Sequence, residues 1–382
     1  MIDKDFLESL SPVEIQMVHQ YIGILFKEKI NDDTSNYDNL KNTVTRCPHC
    51  HGEHFVKNGN RDGRQRYLCK DCNKSFEDSS GTFFFHSRIN YNTWMTFIGC
   101  EVVGLSLRQE EAVCGVSKTS CFHMRHRLYH ALSQYQNNRK LEGLCEIDAA
   151  YTSINLKGFR KDMPRLSKKR GKHKPNQDHK QLRGLSHHKI CLVTAIDEND
   201  HILFKVAGLG VEDTDKYERF SSFFSRKISF VADEKRCIES FCKRHHYYID
   251  IIPSGSFKSD KGNTLSSINQ FHQEFSELLR KKHGISTRHL QSYMDFLVVT
   301  KELRYRLELK KMNTKLYMDI LRTPLLFTVK DICRFPLPVD IYEAYKEYDY
   351  TDPRSLTDNL SGDICDISKN SIEDIKANQP LS

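Results

Sequence analysis

A chain of 382 residues, 38% hydrophobic and 28% charged, has the composition of a soluble globular protein with two or three domains, and it has no apolar run long enough to span a bilayer. The first residues, Met1-Ile2-Asp3-Lys4-Asp5, lack the basic-then-apolar pattern of a secretory signal. A cytoplasmic location without a membrane partner is therefore expected, and the thirteen cysteines read as metal ligands and buried thiols rather than disulfides. The net charge of +8 is concentrated: Lys157–Lys189 holds twelve Lys or Arg against Asp162 and Asp178, which points to a polyanionic partner.

In chain order, residues 1–43 are expected to form one helix and a polar linker. Ser11 can cap, Pro12 suits a first turn and Glu14 can close a capping box, after which Ile15, Val18, Ile22, Leu25 and Phe26 keep helical spacing. Residues 44–80 form a small unit. Cys47-Pro48-His49-Cys50 and, after eighteen residues, Cys69-Lys70-Asp71-Cys72 offer four thiolates in two tight turns, the donor set of a tetrahedral structural Zn²⁺ site. Phe55–Gly59 and Arg64–Leu68 between them read as a β-hairpin, too short to bury a core without metal. Arg64 and Arg66 make this ribbon basic and are candidate DNA contacts. The remaining cysteines, such as Cys100, Cys145 and Cys242, stand singly in apolar contexts and read as core residues.

Residues 81–140 read as helical. Leu105–Gln109 begins one segment, Cys114-Gly115-Val116-Ser117 suits the turn of a helix-turn-helix, and Ser117 would cap a second helix carrying Lys118, Thr119, His123, Arg125, His126 and Arg127. An ordinary helical hairpin with a basic face fits the same pattern. From residue 141 to about 310 the pattern changes. Strands are expected at 144–156, 188–197, 201–206, 228–232 and 247–252, with helices at 213–224, 234–245 and 266–282. That order, three strands and then alternating helix and strand, matches an α/β ribonuclease H-like mixed sheet. Residues 311–382 are a C-terminal extension whose end is acidic and polar.

In that strand order the first and fourth strands lie side by side, so Asp148 and Asp233 would meet at one sheet edge. A carboxylate pair there can hold divalent ions, two Mg²⁺ being the expected complement, against a phosphodiester. Asp233 could also simply cap the next helix. Glu146 and Glu234 read as solvated neighbours.

The zinc ribbon, Glu146-Ile147-Asp148, Val231-Ala232-Asp233, Ser267-Ile268-Asn269-Gln270-Phe271-His272 and Ser286–Gln291 together resemble the bacterial insertion-sequence transposases of the insertion-sequence 1595 group, over roughly residues 45–300. The resemblance implies a metal-dependent enzyme that nicks DNA at element ends and joins them to target DNA. It also implies a homo-oligomer when assembled on DNA, in a bacterial, nucleoid-associated setting. It makes Asn269 the third member of the metal site, with Glu274 or Glu277 as alternatives. It implies a basic residue seven positions further on, where this chain has Ser276, with Arg280 or Lys281 as possible substitutes. His272, one helical turn from Asn269, is a candidate phosphate contact or a packing residue. Lys168, Lys169, Arg170, Lys172 and Lys174, in the basic stretch between the first two strands, would contact DNA. A DNA-binding regulator or a nuclease derived from such an enzyme is the alternative.

Overall fold

The computed structural model describes residues 9–30, 44–61, 64–77, 80, 83, 87–133, 135–138, 140–157, 189–321 and 329–341. They divide into two compact units, Met1–Tyr135 with Asp295–Ile332, and Gln136–Met294 with Cys333–Ser382.

In the first unit, helix α1 (Pro12–Ile30) starts on the expected capping box: Ser11 N–H donates to Glu14 Oε2 at 2.8 Å and Glu14 N–H to Ser11 Oγ at 3.4 Å. The ribbon has strands β1 (Phe55–Arg61) and β2 (Arg64–Cys69) plus a third, β3 (Ser75–Glu77), which sequence reading did not anticipate. Phe76 on β3 is buried, and it meets Phe55 and Tyr67 at centroid distances of 5.6 and 5.5 Å, a miniature apolar core beside the cysteines.

Helices α2 (Tyr91–Val103), α3 (Leu107–Cys114) and α4 (Lys118–Ala131) follow. α3 and α4 are joined by the tight turn expected, with Gly115 at φ 70°, a left-handed conformation that glycine adopts without strain, and Ser117 capping α4. Arg125 corrects the expected basic face. It is buried and paired with Glu101 and with Glu110, the latter at 2.6 Å, while Tyr129 OH donates to Glu101 at 2.7 Å. His126 is buried as well, so Lys118 and Thr119 are the members of that set left exposed. An apolar pattern recurring every three to four residues placed Arg125 on the inner face, where it holds three helices together. Phe296, from the Asp295–Ile332 part of this unit, stacks on Tyr129 at 4.2 Å.

The second unit is built on a five-stranded sheet of β4 (Leu144–Ser153), β5 (Lys189–Asp197), β6 (Ile202–Leu209), β7 (Ser229–Asp233) and β8 (Tyr248–Ile252), in spatial order β6-β5-β4-β7-β8. β4 is antiparallel to β5 and parallel to β7, which is parallel to β8, so the sheet is mixed. β5 is buried along nearly its whole length, because its run of Ile, Cys, Leu, Val and Ala has both faces covered. On one face α5 (Thr214–Glu218) and α6 (Arg236–His245) pack with Tyr217, Phe224, Phe230 and Phe241 against Cys145, Ile147 and Ala149. On the other, α7 (Ser266–Lys281) sets Phe271 and Phe275 edge-on to Phe204 at 5.1 and 4.9 Å. Helices α8 (Leu290–Arg306), α9 (Leu309–Leu321) and α10 (Val329–Arg334) follow, and from Asp295 to Ile332 they belong to the first unit. Among the described residues no helix is long and apolar enough to cross a membrane.

Candidate functional sites

β4 and β7 deliver the two acids. Their parallel ladder pairs Leu144 with Ser229, Cys145 with Phe230 and Glu146 with Val231. Carried two residues further, the same register sets Asp148 level with Asp233. Beyond Glu146, β4 stays paired with β5 as far as Ser153, and β7 with β8 as far as Asp233. The acids therefore stand where the sheet opens between β4 and β7, at the carboxyl end of β7 and at the switch between antiparallel and parallel neighbours. That is the usual ligand position of open α/β sheets.

Both carboxylates are half-buried, and a third, Glu212 in the segment leaving β6, joins them. Lys235 Nζ lies 2.7 Å from Asp148 Oδ1 and 2.8 Å from Glu212 Oε1. Glu212 is itself held: its Oε2 accepts from Tyr217 OH, and its backbone N–H donates to Tyr151 OH at 3.2 Å. Burial opposes the charge on Lys235, but Asp148 and Glu212 outweigh it and raise its pKa. The Asp233 carboxylate makes no hydrogen bond or ion pair with the described residues. Burial, and then the neighbouring charge of Asp148, raise its carboxyl pKa. Asp148 and Glu212 thus converge on one ammonium with Asp233 beside them, so the cluster already accommodates a cation, and its donors are the hard oxygens that Mg²⁺ takes.

The rest of the site comes from α7. The Glu146 carboxylate accepts from Ile268 N–H at 2.9 Å and Ser267 N–H at 3.4 Å, anchoring the start of α7 to β4 two residues before Asp148. Glu146 is a helix cap, then, and not the solvated neighbour expected. Asn269, in the next turn, is exposed, and its amide has no partner among the described residues. His272 Nε2 lies 2.8 Å from Oγ1 of Thr194, the residue paired with Asp148 across β4 and β5. Burial lowers the His272 pKa, against the opposing charge of Asp148.

Other expectations change too. Asp233 does not cap α6; the cap position is Lys235, without a side-chain bond, and Glu234 accepts from Ser254 N–H at 3.2 Å. Arg280 and Lys281 pair with Glu277 at 3.7 and 3.0 Å on the exposed face of α7, and Ser276 Oγ donates to His272 O. The basic group at the acids is Lys235 instead. Its spacing from Asp233, two residues along an extended segment, was a usable sequence signal. Glu212 had none, since only the fold brings the end of β6 to the end of β7.

A second candidate centre lies in the ribbon. The sulfurs of Cys47, Cys50, Cys69 and Cys72 all lie within 4.8 Å of one another. Cys47 and Cys72 are 3.7 Å apart, and Cys50 and Cys69 3.6 Å, close to the edge of roughly 3.8 Å that a tetrahedron with metal–sulfur bonds of about 2.3 Å requires. Backbone N–H groups of Cys72 and Asp71 hold the Cys69 thiol down at about 7. Cys50 receives an N–H from Gly52, yet crowding by Cys72 leaves its thiol pushed up to about 12. Arg66 donates to Ser75 Oγ at 3.2 Å, and Arg64 opens β2. Lys168, Lys169, Arg170, Lys172 and Lys174 lie outside the described residues.

No family model matches the chain. It is 36% identical over 123 residues to an uncharacterized protein in the transposable element ISH50 of Halobacterium salinarum, a match covering 32% of this chain. The chain spans 41% of that relative's length. Among solved structures, chains of a pre-cleavage Mos1 transpososome and of the Mos1 strand transfer complex align with TM-scores of 0.22 and 0.24 at 10% and 12% identity, each over 61% of this chain and 78% of theirs.

Proposed function

We propose that this chain is a DNA transposase of the insertion-sequence type, a polynucleotidyl transferase whose second unit is a ribonuclease H-like catalytic domain. The observation that carries the reading is the juxtaposition of Asp148 and Asp233 at the sheet opening, with a cation already seated on Asp148. The spatial order β6-β5-β4-β7-β8 agrees with that fold, and the relative carried by a transposable element supports the biological setting.

In this reading Asp148 and Asp233 hold Mg²⁺, with Asn269 as a neutral third ligand. A divalent pair so placed would activate the nucleophile and stabilise the leaving oxygen. The same acids serve two steps: water opens a phosphodiester at the element end to release a 3′ hydroxyl, and that hydroxyl then displaces a phosphodiester oxygen of target DNA. Cys47, Cys50, Cys69 and Cys72 hold one structural Zn²⁺. The ribbon, the α3–α4 pair and the basic stretch bind DNA, and two element ends call for a homo-oligomer. Incubating the protein with Mg²⁺ and DNA carrying the sequences that flank its gene tests this: nicking and joined products are expected, and nicking without joining would make it a nuclease. DNA binding with no cleavage would leave the alternative, a regulator.

A further inference from the structure

Two carboxylates on one lysine, with a third beside them, is an unusual arrangement for a site that must take a divalent ion. Glu212 is largely buried, with 8% side-chain exposure, and is fixed by Tyr217 and Tyr151. Asp148, by contrast, has Thr194 as its strand neighbour and gives one oxygen to Lys235. The ammonium thus has one rigid anchor, Glu212, and one partner that the metal reading needs for itself. A carboxylate oxygen at 2.7 Å from an ammonium cannot at the same time present that lone pair to an ion on the same side.

We propose that Glu212 and Lys235 form a positioning pair for the catalytic acids. With no ion bound, Lys235 neutralises Asp148 and keeps the self-repelling acids together. When a divalent ion takes Asp148, Lys235 is released from it but stays on Glu212. Its ammonium then faces the opening where a phosphodiester must lie, and adds one positive charge to the phosphate's surroundings. Divalent-ion binding and the engagement of Lys235 with DNA are in this way one coupled event. Glu212 matters as the anchor, and need not touch metal or DNA.

The inference rests on the metal-site reading above, and the test separates the two. Lys235→Gln keeps hydrogen-bond donors for Glu212 and Asp148 while removing the charge, which protects folding; Lys235→Arg restores the charge. Mn²⁺ affinity is measured without DNA by calorimetry or electron paramagnetic resonance, with Asp148→Asn as the control that defines the site. The gain expected for Lys235→Gln is roughly tenfold in Mn²⁺ affinity, because no tethered cation competes. Lys235→Arg should return toward wild type. With Ca²⁺ in place of Mg²⁺, so that DNA stays intact, Lys235→Gln should also flatten the salt dependence of DNA binding by nearly one unit of log-log slope. An Mn²⁺ affinity in Lys235→Gln equal to wild type, while Asp148→Asn still abolishes binding, overturns the positioning pair and leaves the metal site standing. An unchanged salt slope overturns the phosphate role of Lys235. Wild-type protein whose Mn²⁺ binding ignores Asp148 overturns the metal site itself.

Discussion

Glu146 shows how one residue can serve the site without belonging to its chemistry. Its carboxylate lies against the first N–H groups of α7, where four donors lack helical partners and the helix dipole favours a negative charge. Glu146→Ala should therefore cost about 1 kcal/mol of stability. It should also loosen the placement of Asn269, read as a fall in activity larger than the fall in melting temperature explains. Glu146→Gln, which keeps an acceptor, should recover most of the loss. Asp233 carries the opposite sign. Its carboxyl pKa is raised in the folded state by burial and by Asp148, so it destabilises the ion-free protein above that pKa, and its contribution improves as pH falls through it. Asp233→Asn should consequently raise the thermal midpoint of the ion-free protein at neutral pH and flatten that part of the pH–stability curve. A lower midpoint would mean that the acids do not repel one another as placed.

At the scale of elements, the ribbon and the α3–α4 pair are held by different physics. The ribbon's apolar core is Phe55, Tyr67 and Phe76, too little to fold alone, so Cys69→Ser should release the zinc expected in purified protein and unfold residues 44–77 while leaving the sheet unit intact by circular dichroism. The α2–α4 assembly instead depends on Arg125 between Glu101 and Glu110. Arg125→Ala strands two buried carboxylates and should cost about 3–5 kcal/mol, visible as loss of the folded state in denaturant titration. These elements also show what the sequence makes legible. Strand and helix periods placed β4 to β8, α6 and α7 to within three residues, because each has a short apolar pattern bounded by turn residues, whereas the helix expected over 213–224 ends at Glu218 and gives way to a single 3₁₀ turn at Ser221–Phe223. β3 was missed because three residues are too few to show a period. Asp148, Asp233 and the four cysteines were legible since their partners follow from spacing or strand order. Lys235 and Glu212 were not identified: Lys235 was passed over although it stands two residues after Asp233, and Glu212 is brought to the acids only by tertiary geometry that no local pattern encodes.

Under the proposed function the molecule as a whole separates positioning from chemistry. One unit carries the thiol cluster and the helical pair; the other carries the acids, and its basic stretch connects β4 to β5. Neutralising Lys168, Lys169, Arg170, Lys172 and Lys174 together should weaken binding to all DNA sequences alike and flatten the salt dependence by nearly one unit of log-log slope per lost phosphate contact. Asp148 and Asp233 are proposed to cleave DNA through divalent ions. The most direct measurement is Mg²⁺-dependent nicking of DNA bearing the gene's flanking sequences by wild type, Asp148→Asn and Asp233→Asn, with DNA binding followed in parallel. Both variants should bind as wild type does and lose nicking by orders of magnitude, with Asn269→Ala losing less. Normal nicking by both aspartate variants would contradict that proposal.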